Sequence, residues 1–201
     1  MLELFDGPKL IGSVADINSG KSNMLYDIIE KLGKKADFNL YTYGLKFPIG
    51  EQIFSLEELE QIQNSIIIVD EAFSLLDLEN RGKKKQIEST LRLLHHNNNI
   101  ILFSILPENG KKFIASKFDA FIFKKCTIAD FINGSMLKRI VDQYRGPEKG
   151  NCVLNIPIDK ALTFDGKKYK MHDIDYHPDF DSKAQNQPIL KTKKVFKKKA
   201  S

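Results

Sequence analysis

One segment constrains this chain more than any other: Ala15, Asp16, Ile17, Asn18, Ser19, Gly20, Lys21 and Ser22. The residues before it, KLIGSV at positions 9–14, read as a short buried strand. After it, Leu25, Ile28, Ile29 and Leu32 recur at i, i+3, i+4 and i+7, one face of a helix that Gly33 ends. A strand, a small polar loop and a helix in that order place successive backbone N–H groups at a helix N-terminus, where they can wrap an anion. The spacing fits the phosphate-loop (Walker A) pattern, with Ala15 in the first glycine position. In that pattern Gly20 permits close backbone approach, Lys21 reaches the β- and γ-phosphates, and the Ser22 hydroxyl ligates magnesium. Residues 15–22 and the adjoining Asn23 are the expected nucleotide-binding residues.

A second segment supplies what the first lacks. Residues 65–70, SIIIVD, form a continuous β-branched run, which suits a central parallel strand covered on both faces. The run delivers Asp70 and then Glu71 to the carboxyl end of the strand, where ligands bind in open α/β sheets. Asp70, 49 residues after Lys21, is the expected partner of magnesium. Glu71 is the expected general base for an attacking water, since hydrolysis needs a base in a fixed direction.

The remaining pattern alternates strands and helices. Strands are expected at about 38–43, 99–105, 119–123 and 152–156. A helix is expected from the Ser55–Glu58 capping box to about Ile62. Further helices are expected at 84–96, at 111–117 and from Thr127, with Asp130 three residues on, to about Tyr144. Residues 74–82 read as an irregular excursion. Residues 162–169 read as a hairpin turning on Asp165 and Gly166. The alternation predicts an α/β domain with a mostly parallel central sheet flanked by helices and a C-terminal β-hairpin. Residues 1–175 are the expected ATPase domain and 176–201 a mobile, basic tail.

Composition excludes several classes. With 42% hydrophobic and 28% charged residues in 201, the chain is globular. No apolar run approaches the roughly 18 residues of a membrane span. The first six residues lack a signal-peptide pattern. Cys126 and Cys152 form no metal-binding or disulfide framework and read as core thiols in a reducing compartment. The net charge of +5 resides in the tail: residues 191–201 hold six lysines and no acid. Such a tail is either a phosphate-gripping arm or a solvated terminus. His95 and His96, and the HDIDYHPDFD stretch at 172–181, do not make a convincing ligand set.

The order of these features resembles a known family. A phosphate loop, an apolar run ending in Asp-Glu, a helix with Arg92 and His95, and a strand ending at Ser104 three residues before Pro107 together resemble the FtsK–HerA superfamily of DNA-pumping ATPases. The small genome-packaging ATPases of viruses with internal membranes are members. The resemblance covers roughly residues 9–145. It implies an additional-strand (RecA/FtsK-like) P-loop NTPase fold, in which the third strand inserts between the phosphate-loop and acidic strands. It implies that Ser104 senses the γ-phosphate; Ile105 and Leu106 stand where the family usually carries a polar pair. Lys21, Glu71, Ser104 and Arg92 are then the catalytic candidates. Arg92 is the first choice for a finger reaching a neighbour's nucleotide and Arg81 the second, unless either is a solvated helix residue.

The expected function is therefore an ATP- and Mg2+-dependent motor that translocates double-stranded DNA as a hexameric ring, of the viral packaging kind. A capsid or membrane-vertex protein is a further expected partner, and the host cytoplasm or virion the expected location. The alternative is a phage assembly or secretion ATPase like the zonula occludens toxin family, although no transmembrane segment is read here. A small-molecule kinase would need a lid rich in arginine, and only Arg81, Arg92, Arg139 and Arg145 occur. A low-turnover nucleotide switch fits less well with Glu71.

Overall fold

The computed structural model describes residues 1–33, 39–44, 50–70, 84–107, 116–127, 135–146 and 153–176. Ten strands and four α-helices lie within these residues: β1 (Lys9–Val14), α1 (Lys21–Gly33), β2 (Asn39–Tyr43), β3 (Glu51–Gln52), α2 (Leu56–Gln61), β4 (Ser65–Val69), α3 (Lys84–His96), β5 (Ile100–Ile105), β6 (Ala120–Phe123), β7 (Cys126–Thr127), α4 (Met136–Arg145), β8 (Val153–Leu154), β9 (Lys160–Phe164) and β10 (Tyr169–Asp173). A 3-10 turn, Leu2–Phe5, precedes β1.

Eight strands form one sheet in the order β10-β9-β6-β1-β5-β4-β2-β3. The pairs from β6 to β3 are parallel, whereas β9 joins β6 antiparallel and β10 continues that hairpin. The inserted position of β5, between β1 and β4, is the one the family resemblance implies. Parallel strands covered on both faces should be apolar throughout. Correspondingly β4 and β6 are buried at every residue.

Each sheet face has its own core. Ile11, Ile66, Ile68, Leu102 and Ile122 pack with Met24, Leu25, Ile28 and Ile29 of α1. The alternate residues Leu10, Val14, Ile67, Val69, Ile101, Phe103 and Phe121 pack with Leu59 of α2, Ile87, Leu91 and Leu94 of α3, and Leu137, Ile140 and Val141 of α4. Each fully buried aliphatic chain of this kind contributes about 1.5–3 kcal/mol. Tyr169 on β10 donates from its hydroxyl to the Ile140 carbonyl at 2.8 Å, tying the hairpin to α4.

The amino ends of the parallel strands are locked by asparagine. Asn99 accepts from the Ser65 N–H and donates to the Ile62 carbonyl at 2.7 Å. Asn97 donates to the carbonyls of Glu60 and Ile62. Asn64 and Asn98 both adopt positive φ, which asparagine tolerates, and their amide groups meet at 2.8 Å. Asn97, Asn98 and Asn99 are thus structural, and His95 beside them lies 3.9 Å from Asp119. Among the described residues no group of His, Cys, Asp and Glu is arranged to hold a metal ion.

One expected helix boundary moves. Thr127 lies in β7 and pairs with Val153 of β8, and the residues that follow it, 128–134, lie outside the described residues. The helix begins at Met136, and Ser135 is its cap, its hydroxyl accepting from the Lys138 N–H. The expected strand at 152–156 is only the two-residue β8, outside the main sheet. The elements expected at 74–82 and 111–115 and the tail from 177 lie outside the described residues, as do Glu71, Arg81 and Cys152.

Candidate phosphate-binding site

The loop between β1 and α1 sits at the carboxyl end of the parallel strands. It begins at the fully buried Ala15 and turns through Asn18 at φ 60° and Gly20 at φ 82°. The Met24 N–H then bonds to the Gly20 carbonyl at 3.1 Å, starting the helical ladder. Gly20 is needed for its conformation and for space: a Cβ there would come within 3.0 Å of Ile158 Cγ1. Ile17 at the loop's apex is 77% exposed. The Ser22 hydroxyl group belongs to an exposed residue at the start of α1.

Asp16 is turned into the protein rather than outwards. Its Oδ2 accepts from the Thr127 N–H at 2.8 Å and the Thr127 hydroxyl at 2.9 Å, while its own N–H donates to the Lys125 carbonyl. An acid within a phosphate-binding loop would repel its ligand. Here two donors from β7 hold that charge aside.

Lys21 reaches across the inserted strand. Its Nζ lies 2.8 Å from Asp70 Oδ1, with side-chain exposures of 19% and 11%. Asp70 stands at the end of β4, and its N–H bonds to the Tyr43 carbonyl of β2. Gly44 makes that close pass possible, for a Cβ there would collide with the Asp70 carbonyl oxygen.

Ser104 occupies the strand between them. It is the register partner of Ser13 on β1, and one step beyond the Phe103–Val69 pair it comes level with Asp70. The hydroxyls of Ser13, Ser19 and Ser104 are buried and find no hydrogen-bond partner among the described residues. Buried hydroxyls normally find one. Ser19 lies in the loop itself, Ser13 and Ser104 are register partners on β1 and β5, and Thr42 on β2 is a fourth such hydroxyl.

These groups fit a magnesium triphosphate. One carboxylate and one hydroxyl, Asp70 and Ser22, are hard oxygen donors, and magnesium characteristically takes one or two such groups together with substrate phosphates. Arg92 is not brought to the loop in the same chain. It is exposed on α3, which covers the opposite face of the sheet from α1. Two contributors escaped the sequence reading. Thr127 restrains Asp16 from 111 residues away, which no local pattern signals. Lys124 is fully buried beside the loop; its signal was parity, since Ala120, Ile122 and Lys124 alternate onto the α1 face.

A glycine-turned loop on a buried strand, an acid at the end of β4 and an inserted β5 define the fold of the FtsK-like P-loop ATPases. Solved structures with this fold are similar along most of the chain. The genome-packaging NTPase B204 of Sulfolobus turreted icosahedral virus 2, in complex with sulfate, superposes with a TM-score of 0.59 at 14% identity, over 86% of this chain and all of B204. The pCW3 conjugation coupling protein TcpA, with ATPγS, gives 0.58 at 15% identity over 88% of this chain and 62% of TcpA. EssC ATPases 2 and 3 from Geobacillus thermodenitrificans give 0.51 at 11% identity over 84% of this chain and 40% of EssC. No protein-family model matches the sequence, and no characterised protein matches it by sequence. No helix among the described residues is long and apolar enough to cross a membrane.

Proposed function

We propose that this chain is an ATP-hydrolysing motor that moves double-stranded DNA, of the viral genome-packaging kind. The observation that carries the reading is the 2.8 Å contact of Lys21 with Asp70 across the inserted β5, with the orphaned Ser104 hydroxyl level with it. The full coverage of B204, a genome-packaging NTPase, favours packaging over the longer TcpA and EssC chains, of which 62% and 40% are covered.

The loop N–H groups and Lys21 bind the triphosphate, drawing the ammonium away from Asp70. Asp70 and Ser22 would hold magnesium, which would supply positive charge against the bound triphosphate. Glu71, directly after Asp70, takes the proton of the attacking water. Ser104 donates its hydroxyl to the γ-phosphate and so reports its presence or loss to the sheet. Arg92 or Arg81 of an adjacent copy in a hexameric ring stabilises charge on the transferring group, and the lysines at 191–199 grip the DNA backbone.

The test is steady-state ATP hydrolysis with and without long double-stranded DNA, with Glu71→Gln as control. DNA-stimulated turnover that the variant lacks supports the motor. ATP turnover indifferent to DNA across a salt series overturns the DNA cargo and leaves the assembly-ATPase alternative, with a protein partner.

A further inference from the structure

A lysine that makes no ion pair among the described residues is buried beside the phosphate loop. Lys124 follows β6 and is 0% exposed. Its Nζ donates to the carbonyls of Ile158 and Lys160, each at 2.6 Å, and to that of Pro157 at 3.4 Å. Three N–H groups thus face three carbonyls, which uses the full donor capacity of an ammonium. Burying such a charge is costly unless every bond is made. An apolar residue would fill the same space without that cost, so the arrangement needs a reason.

The reason lies in what the turn touches. Residues 157–160 fold around the Lys124 head group and carry Ile158. That side chain is 70% exposed, yet its Cγ1 lies 3.0 Å from the place where a Cβ on Gly20 would stand, with Lys124 Cε at 3.6 Å from the same point. Lys124 and Ile158 therefore flank Gly20, which with Asn18 makes the left-handed turns of the loop.

We infer that Lys124 is a positioning residue for the phosphate site: through the 157–160 turn it seats Ile158 against Gly20 and fixes the curvature of the loop. This rests on the reading of the loop as a nucleoside triphosphate site. The lysine touches no reacting atom. It acts by making the loop ready before the ligand arrives, so it governs affinity and not the chemical step. Its contact with the turn that leads into β9 also links the C-terminal hairpin to the nucleotide.

The experiment is titration of a fluorescent ATP analogue with Mg2+, together with KM and kcat, for wild type, Lys124→Met, Ile158→Ala and the double variant. The expected result is a rise of about tenfold in Kd and KM for each single variant, with kcat within about twofold. The double variant should lose little more than either single one, because both act through one contact. Ile158 is exposed, so its alanine variant keeps the fold even if Lys124→Met does not. Wild-type affinity in Ile158→Ala overturns the inference. Wild-type protein that binds no nucleotide overturns the triphosphate reading itself, a separate and distinguishable failure.

Discussion

Thr127 holds Asp16 by two hydrogen bonds, from its N–H at 2.8 Å and its hydroxyl at 2.9 Å, so the acid of the phosphate loop is pinned by a strand 111 residues away. Hydrogen bonds to a charged group contribute about 1.5–3 kcal/mol each. Thr127→Val removes one and keeps the backbone bond. It should lower unfolding free energy by about 1.5 kcal/mol in urea. Asp16→Ala strands both donors and should cost more. Equal losses for the two variants would mean the backbone bond contributes nothing, and an unchanged Thr127→Val would mean the same of the hydroxyl bond.

In the proposed function Lys21 serves two anions in turn, Asp70 and then phosphate. Asp70→Asn leaves the ammonium without its 2.8 Å carboxylate. Metal-free ATP, measured in chelator, should then bind about tenfold more tightly. Hydrolysis with magnesium should be lost in the same variant. A gain in metal-free affinity with a loss of turnover separates the two duties of Asp70; unchanged affinity would show that the ion pair does not compete with phosphate.

Ser104 should split stability from catalysis. Its hydroxyl is buried with no partner among the described residues. Ser104→Ala removes an unsatisfied polar group, so unfolding free energy should stay equal or rise by up to about 1 kcal/mol. Turnover should fall at least about tenfold, as for loss of one donor to a developing charge. A variant that loses stability and keeps kcat would return Ser104 to the core.

Lys124 gives the protein a pH signature. Burial lowers its pKa from the usual lysine value to about 8, against a smaller opposing pull from Asp159. Between about pH 8 and the unfolded lysine value, the unfolded chain holds the proton and the folded chain does not. Unfolding free energy from this group therefore rises with pH across that window, and its burial costs most below pH 8. Urea unfolding from pH 7.5 to 10.5 should show the rise in wild type and a flatter profile in Lys124→Met. Above pH 8 the neutral amine keeps two donors for three carbonyls, so nucleotide affinity should decline as stability improves.

The parts legible in sequence are those fixed by local chemistry. SIIIV could only be a covered strand, and it became β4, buried at all five residues. GKS after KLIGSV could only open a helix, and α1 starts at Lys21. The helix expected from Thr127 shows the limit. The helix ending at Arg145 starts at Met136 after an extended Ser135, while Thr127 sits in β7 with its hydroxyl on Asp16, and a contact across 111 residues leaves no trace in local periodicity. The antiparallel seam between β6 and β9 was hidden for the same reason, since register between distant strands is decided by packing. Lys124 broke the rule that lysines lie outside, and such departures tend to gather at functional sites.

The inserted β5 has a further consequence. β1 and β4 never touch, so the strands that deliver Lys21 and Asp70 are held two strand spacings apart, about 9–10 Å. Hydrogen-bonded backbone sets that span, and no side-chain replacement can shorten it. Under the proposed function the sheet then gauges the length of a phosphate chain, calibrated by peptide geometry, which leaves the side chains around it free to diverge while the gauge stays true.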